Sequence, residues 1–153
     1  MATTVTAADL TVTITESYSL NGVNYGNTMN KTFTSNGEVY QRVMTIAEDS
    51  GRTTWTNIIN FGAADAAGIA DISNYKYFRI KNLDDTNFLE LRVTGTADSF
   101  FVKIKAGETF LLMDNEIDAV ASSTTIGTLT DITQIAANAD TDAVDIEFVC
   151  VTV

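Results

Sequence analysis

Five basic side chains stand close together in the middle of this sequence: Arg79, Lys81, Arg92, Lys103 and Lys105. Such a cluster binds carboxylates, and arginine can do so through two parallel hydrogen bonds. The rest of the chain makes the cluster unusual. There are nine basic residues against twenty acidic ones, a net charge of −11. Residues 1–75 carry −4, residues 76–105 carry +2, and residues 106–153 carry −9 with no basic residue at all. A second group, Asp140, Asp142 and Asp145, has a DxDxxD spacing that could offer oxygen ligands to Ca²⁺. It lacks the glycine and terminal glutamate of an EF-hand loop. An unliganded acidic loop is the better reading, and no metal is expected.

Other chemistry is limited by what the chain lacks. It has no histidine, which removes the usual general base and the commonest transition-metal ligand. Its single cysteine, Cys150, can form neither an internal disulfide nor a Cys/His zinc site. Cys150 lies in an apolar run and reads as a small buried side chain. No phosphate-binding glycine loop and no GxSxG nucleophile elbow is present. Nothing in the spacing of Asp, Glu, Tyr and Ser singles out a catalytic pair. The expectation is no enzyme, no catalytic residue and no cofactor.

The elements that must position these residues are strands. Leu10, Val12 and Ile14 alternate with Thr11, Thr13 and Thr15, the pattern of a half-buried strand. Asn21-Gly22 and Asn36-Gly37 are tight-turn signals. Strands are expected over residues 38–47 and 53–61, a surface loop over 62–74, and a last strand over 144–153 whose end is apolar on both faces. YFRIKNLDDTNFLELRV, residues 77–93, reads as a hairpin in which Leu83 pairs with Phe88. Ile80 then faces Leu91 and Phe78 faces Val93, while Arg79 faces Arg92 and Lys81 faces Glu90. The register puts Phe78, Ile80, Leu89, Leu91 and Val93 in the core. FFVKIK, residues 100–105, reads as a second hairpin, turning at Ala106-Gly107 and returning through residues 108–113. Residues 115–143 are poorly patterned, and Ile132 and Ile135 could anchor a short helix or turn there. About eight or nine strands with little helix predict one domain over residues 1–153. Its expected fold is all-β, an antiparallel two-sheet β-sandwich of jelly-roll type.

If the two central hairpins are neighbours in one sheet, the five basic residues share its outer face. One reading is a solvated strand face. The other is an interface that docks carboxylates from a neighbouring copy, whose C-terminal third is acidic. Opposed Arg79 and Arg92 would be mildly unfavourable, which favours the second reading.

Acidity argues against nucleic acid as a partner, since phosphates would be repelled. No apolar run of about 18 residues exists, so no membrane partner is expected, and the N-terminal MATTVTAADL shows no secretory signal pattern. The chain contains no proline; no physical reason for that is apparent.

In overall pattern the chain resembles small virion proteins of tailed bacteriophages, especially those of marine phage genomes. The resemblance runs from ESYSLNGVNYGNT and EVYQRVMTI through YFRIKNLDDTNFLELRV and FFVKIKAGETFLL to DITQIAANADTDAVDIEFVCV. It implies a β-sandwich located on the virion, a capsid decoration or cement protein that binds the outer surface of the capsid. The implied partners are the major capsid protein and further copies of the chain, as in a homo-oligomer such as a trimer. A minor tail or connector component is the alternative within that class. The competing class is a carbohydrate-binding or adhesin-like sandwich with aromatic platforms. Its candidates are Tyr18, Tyr25, Tyr40, Tyr75, Tyr77 and Trp55.

Overall fold

The computed structural model describes residues 6–62, 70–71, 75–96, 99–117, 125 and 127–152. Every regular element among them is a strand, as the period-two patterning predicts. The sequence reads as one domain; by contact the chain falls into two compact units, the first ending at Glu38 and the second running from Val39 to Thr152.

The first unit is a β-ribbon. Strand β1 (Ala8–Glu16) pairs antiparallel with β4 (Asn27–Asn36), and between them β2 (Ser19–Leu20) and β3 (Val23–Asn24) form a small hairpin. Asn21 and Gly22 turn that hairpin with φ of 52° and 79°, the double positive φ that the Asn-Gly signal implies. The ribbon has two unlike faces. Leu10 lies opposite Phe33, Val12 opposite Lys31 and Ile14 opposite Met29. The other face is a ladder of Thr11 with Thr32, Thr13 with Asn30 and Thr15 with Thr28. Its side chains hydrogen-bond across the pair, Thr13 Oγ1 donating to Asn30 Oδ1 over 2.8 Å. Near Ala8 the register slips by a bulge, with Ser35 at φ 60°. Asn36 holds it, its Nδ2 donating to the carbonyls of Ala8 and Phe33 at 2.9 and 2.8 Å. Asn36-Gly37 therefore ends the ribbon and is not a hairpin turn.

The second unit contains β5 (Glu38–Ile46), β6 (Thr56–Gly62), β7 (Ala70–Asp71), β8 (Tyr75–Asn82), β9 (Leu89–Thr94) and β10 (Ser99–Ile104). After them come β11 (Thr109–Leu112), β12 (Glu116–Ile117), β13 (Thr130–Asp131), β14 (Gln134–Ala139) and β15 (Val144–Thr152). One sheet has the order β10-β9-β14-β6-β7, the other β11-β8-β15-β5, and β12 pairs with β13 alone. Eight strands make a jelly roll. The pairs β5/β15 and β8/β11 lie in one sheet and β6/β14 and β9/β10 in the other, and the chain crosses between sheets from β5 to β6, β8 to β9, β10 to β11 and β14 to β15. The two sheets enclose one core, with Ile46, Phe61, Phe78, Ile80, Leu89, Leu91, Val93, Ile135, Ile146 and Phe148 among its buried side chains. Cys150 is buried there too, and desolvation pushes its thiol up to about 12.

The five expected core residues of segment 77–93 are all buried. The expected pairing is not present. Strands β8 and β9 face each other across the core from different sheets, and so do β10 and β11. A hairpin and a crossover between sheets both put the same alternate residues inward, so alternation cannot separate them. What fixes the crossover is Asn82, fully buried at its bend. Its Nδ2 donates to the carbonyls of Asn87 and Ile104, at 2.9 and 3.2 Å, and its Oδ1 accepts the Asp84 N–H at 2.9 Å. Asp84 then accepts the N–H groups of Thr86 and Asn87, and these bonds hold its carboxyl below the ordinary range. A third correction concerns Ile132 and Ile135. The segment is not helical: Ile135 lies in β14, between β9 and β6 in the sheet. Of the expected loop over 62–74, residues 63–69 and 72–74 lie outside the described residues, and Ala70–Asp71 pairs parallel with β6.

Candidate functional site

The crossovers separate the five basic residues. Arg79 and Lys81 lie on β8, in one sheet; Arg92 and Lys103 lie on β9 and β10, in the other. Arg79 and Arg92 therefore do not oppose each other. Arg79 sits across from Leu111 and Val149 and pairs with Glu147. Lys81 is flanked by Thr109 and Glu147. Lys105 precedes the Ala106-Gly107 bend and reaches Glu108 at 4.0 Å, with both groups largely in solvent. The structure leaves Arg79 and Lys81 together on one sheet, where Glu147 pairs with Arg79 and lies opposite Lys81, and brings Arg92 and Lys103 onto one surface of the other.

That surface is the outer face of the β10-β9-β14-β6 sheet. Its rungs follow from the register: Phe101, Arg92 and Ala136 on one, Lys103, Glu90 and Asn138 on the next. The β5–β6 loop is held over it by two side chains. Asn138, buried on β14, accepts the Asp49 N–H through Oδ1 at 2.8 Å and donates from Nδ2 to the Asp49 carbonyl at 3.1 Å. Asp49 accepts the N–H groups of Gly51, Thr53 and Thr54 and the Thr53 hydroxyl, at 2.5 to 3.0 Å. These donors favour the charged form and hold the Asp49 carboxyl at about 2. Arg52 takes φ 51° in this loop. Its carbonyl accepts the Trp55 indole N–H at 3.1 Å, and its guanidinium grips Glu90 with two bonds of 2.6 Å. The Arg52 bonds, more than any other contact, hold Glu90 below the usual carboxylate range.

Trp55 and Phe101 meet at 5.5 Å with a 48° tilt, and the Arg92 guanidinium lies 4.9 Å from the indole ring. Arg92 Nη2 donates to Gln134 Oε1 at 2.9 Å, while its Nε is buried with no hydrogen-bond partner among the described residues. Lys103 Nζ sits 3.4 Å from the centre of the Phe88 ring. Arg52, Trp55, Glu90, Arg92, Phe101, Val102 and Lys103 line an open cleft of about 660 Å³. Phe101 is 63% exposed at its rim. The chemistry available here is binding: an aromatic surface for apolar ring faces, with hydrogen-bonding charged groups around it.

The aromatic candidates divide clearly. Tyr75 and Tyr77 are buried, the Tyr75 hydroxyl donating to the Leu112 carbonyl at 2.7 Å, and Tyr40 packs against the core. Tyr18 and Tyr25 are exposed on the ribbon, stacked at 5.7 Å. Of the sandwich aromatics proposed from sequence, Trp55 lies at this cleft and Tyr40 at another, of about 500 Å³, beside Arg42, Asn57 and Asn60. Sequence reasoning did not name Phe101, Arg52 or Glu90 as site residues. The signal for Phe101 was its place on the polar row of β10, with Lys103; an aromatic there faces outward.

Asp140, Asp142 and Asp145 do not gather. Asp145 accepts the Thr45 hydroxyl at 2.6 Å, and no cluster of three acidic or cysteine ligands occurs among the described residues. No helix there is long and apolar enough to cross a membrane. Comparison with protein-family models, curated proteins and solved structures finds no match to this chain.

Proposed function

We propose that this protein is a non-enzymatic structural component of a virion, a capsid decoration protein that associates with further copies of itself and binds the major capsid protein. One observation carries the reading. Five large apolar side chains of the ribbon, Tyr18, Leu20, Val23, Tyr25 and Met29, are about half exposed or more, within a stretch of twelve residues. A two-stranded ribbon has no second layer of its own to cover such side chains, and exposed apolar residues gathered on one element, with Tyr18 stacked on Tyr25 and Leu20 paired with Val23, mark an association site.

Charge favours a second copy as the occupant. Up to Glu38 the chain carries Lys31 against Asp9, Glu16 and Glu38, for −2; the remainder carries −9. Copies of so acidic a chain repel each other, and least where the surface is charge-poor. An isologous contact would also place identical apolar patches together. The jelly roll agrees with the reading by analogy, since such folds serve in capsid and lectin domains.

The test is rebinding to source particles stripped of this protein, comparing the parent with Leu20→Asp/Val23→Asp. The parent is expected to rebind and the variant to fail, with unchanged circular dichroism. A parent that does not rebind, or a variant that rebinds equally, overturns the reading.

A further inference from the structure

We propose that the Trp55–Phe101 cleft binds a saccharide bearing a carboxylate, such as a uronic or sialic acid sugar. This inference is independent of assembly through the ribbon. Two features define the ligand. The first is apolar: Phe101 stands largely in solvent beside Trp55, an exposure that a sugar's C–H face would relieve by stacking.

The second is charge. Glu90 is neutralised by the two-bonded Arg52, leaving Arg92 and Lys103 on the same face. Among the described residues neither makes an ion pair within 4.0 Å; their contacts are with the Trp55 and Phe88 rings and with Gln134. In a chain of net charge −11, a cleft with three cations, Arg52, Arg92 and Lys103, against the single carboxylate of Glu90, beside the exposed Phe101, selects an anion with an apolar ring face. Glu90 and Gln134 add acceptors for sugar hydroxyls. The loop that carries Trp55 is already fixed by Asn138 and Asp49, so little ordering is needed on binding.

Trp55 is the only tryptophan in the chain, so its fluorescence reports this cleft alone. The full chain would be titrated with trigalacturonic acid and with sialyllactose, and with maltotriose, inorganic phosphate and a short polyglutamate peptide for comparison. A saturable change with at least one acidic saccharide is expected, with Kd of about 1 mM or tighter, and affinity at least about tenfold weaker for maltotriose. Phe101→Ala should weaken binding about tenfold or more, and Arg92→Gln should remove the preference for the acidic sugar. Circular dichroism and the melting temperature would verify that both variants are folded. The proposal is overturned if no acidic saccharide changes the emission, or if maltotriose binds equally well. It is also overturned if phosphate matches the sugar, which reduces the cleft to an anion site, or if only the peptide binds, which makes it a protein-docking site. Equal binding by Phe101→Ala would contradict it as well; should that variant not fold, Phe101→Leu serves in its place.

Discussion

The sandwich from Val39 onward and the ribbon before it are built from the same alternating strands, yet only the sandwich supplies its own core. In the sandwich the inward residues of β8, β9, β14 and β15 meet residues of the opposite sheet and reach full burial. In the ribbon Leu10, Val12 and Ile14 remain only half-buried, and Leu20 and Val23 are 60% and 52% exposed. Alternation specifies a face to be covered; a second layer has to cover it. The sandwich buries a core and also exposes single apolar side chains such as Val43 and Phe101, whereas the ribbon has no second layer of its own for its apolar face, and the association proposed above rests on that face.

The widest contrast is in stability. Leu91→Ala removes a fully buried side chain and should lower sandwich stability by about 2–5 kcal/mol, measured by denaturant unfolding. Thr13→Ala removes one solvent-exposed hydroxyl bond of the ribbon and should change stability by less than about 0.5 kcal/mol. Comparable losses for the two would erase the distinction.

A smaller effect concerns the loop over the sheet face. Asp49 is held at about 2 in the folded protein, below its ordinary 3.8. A depressed carboxylate contributes stability that is present above the unfolded value and is lost as pH falls through the folded one. Glu90 is shifted in the same direction by Arg52. Trp55 emission should therefore hold through pH 3.8 and change as pH approaches 2. A change centred at the ordinary carboxylate value would mean that Asp49 does not hold the loop.

Much of this fold is legible in the sequence because burial repeats every second residue. Phe78, Ile80, Leu89, Leu91 and Val93 are assigned to the core by that rule alone, and all are buried. Pairing is another matter. The rule is blind to whether β8 returns beside β9 or crosses to the other sheet, and the decision rests on the buried Asn82 and its three bonds. Strand β14 was hidden for a different reason. Its QIAANA sequence is rich in residues with weak strand preference, and tertiary burial between β9 and β6 overrides that preference. Alternation read as two hairpins places five basic residues on one face. The structure divides them, Arg79 and Lys81 on one sheet and Arg92 and Lys103 on the other, and beside the second pair it adds Arg52, Glu90 and Phe101, which only the folded loop and sheet bring together.

The most direct test of association through the ribbon is sedimentation velocity on the full chain and on Leu20→Asp/Val23→Asp. The parent should sediment as an oligomer whose mass rises with concentration to a fixed multiple of the chain. The variant should sediment as monomer with the same thermal melting of its sandwich. A parent that stays monomeric at every concentration, or a variant that assembles as the parent does, would contradict the account.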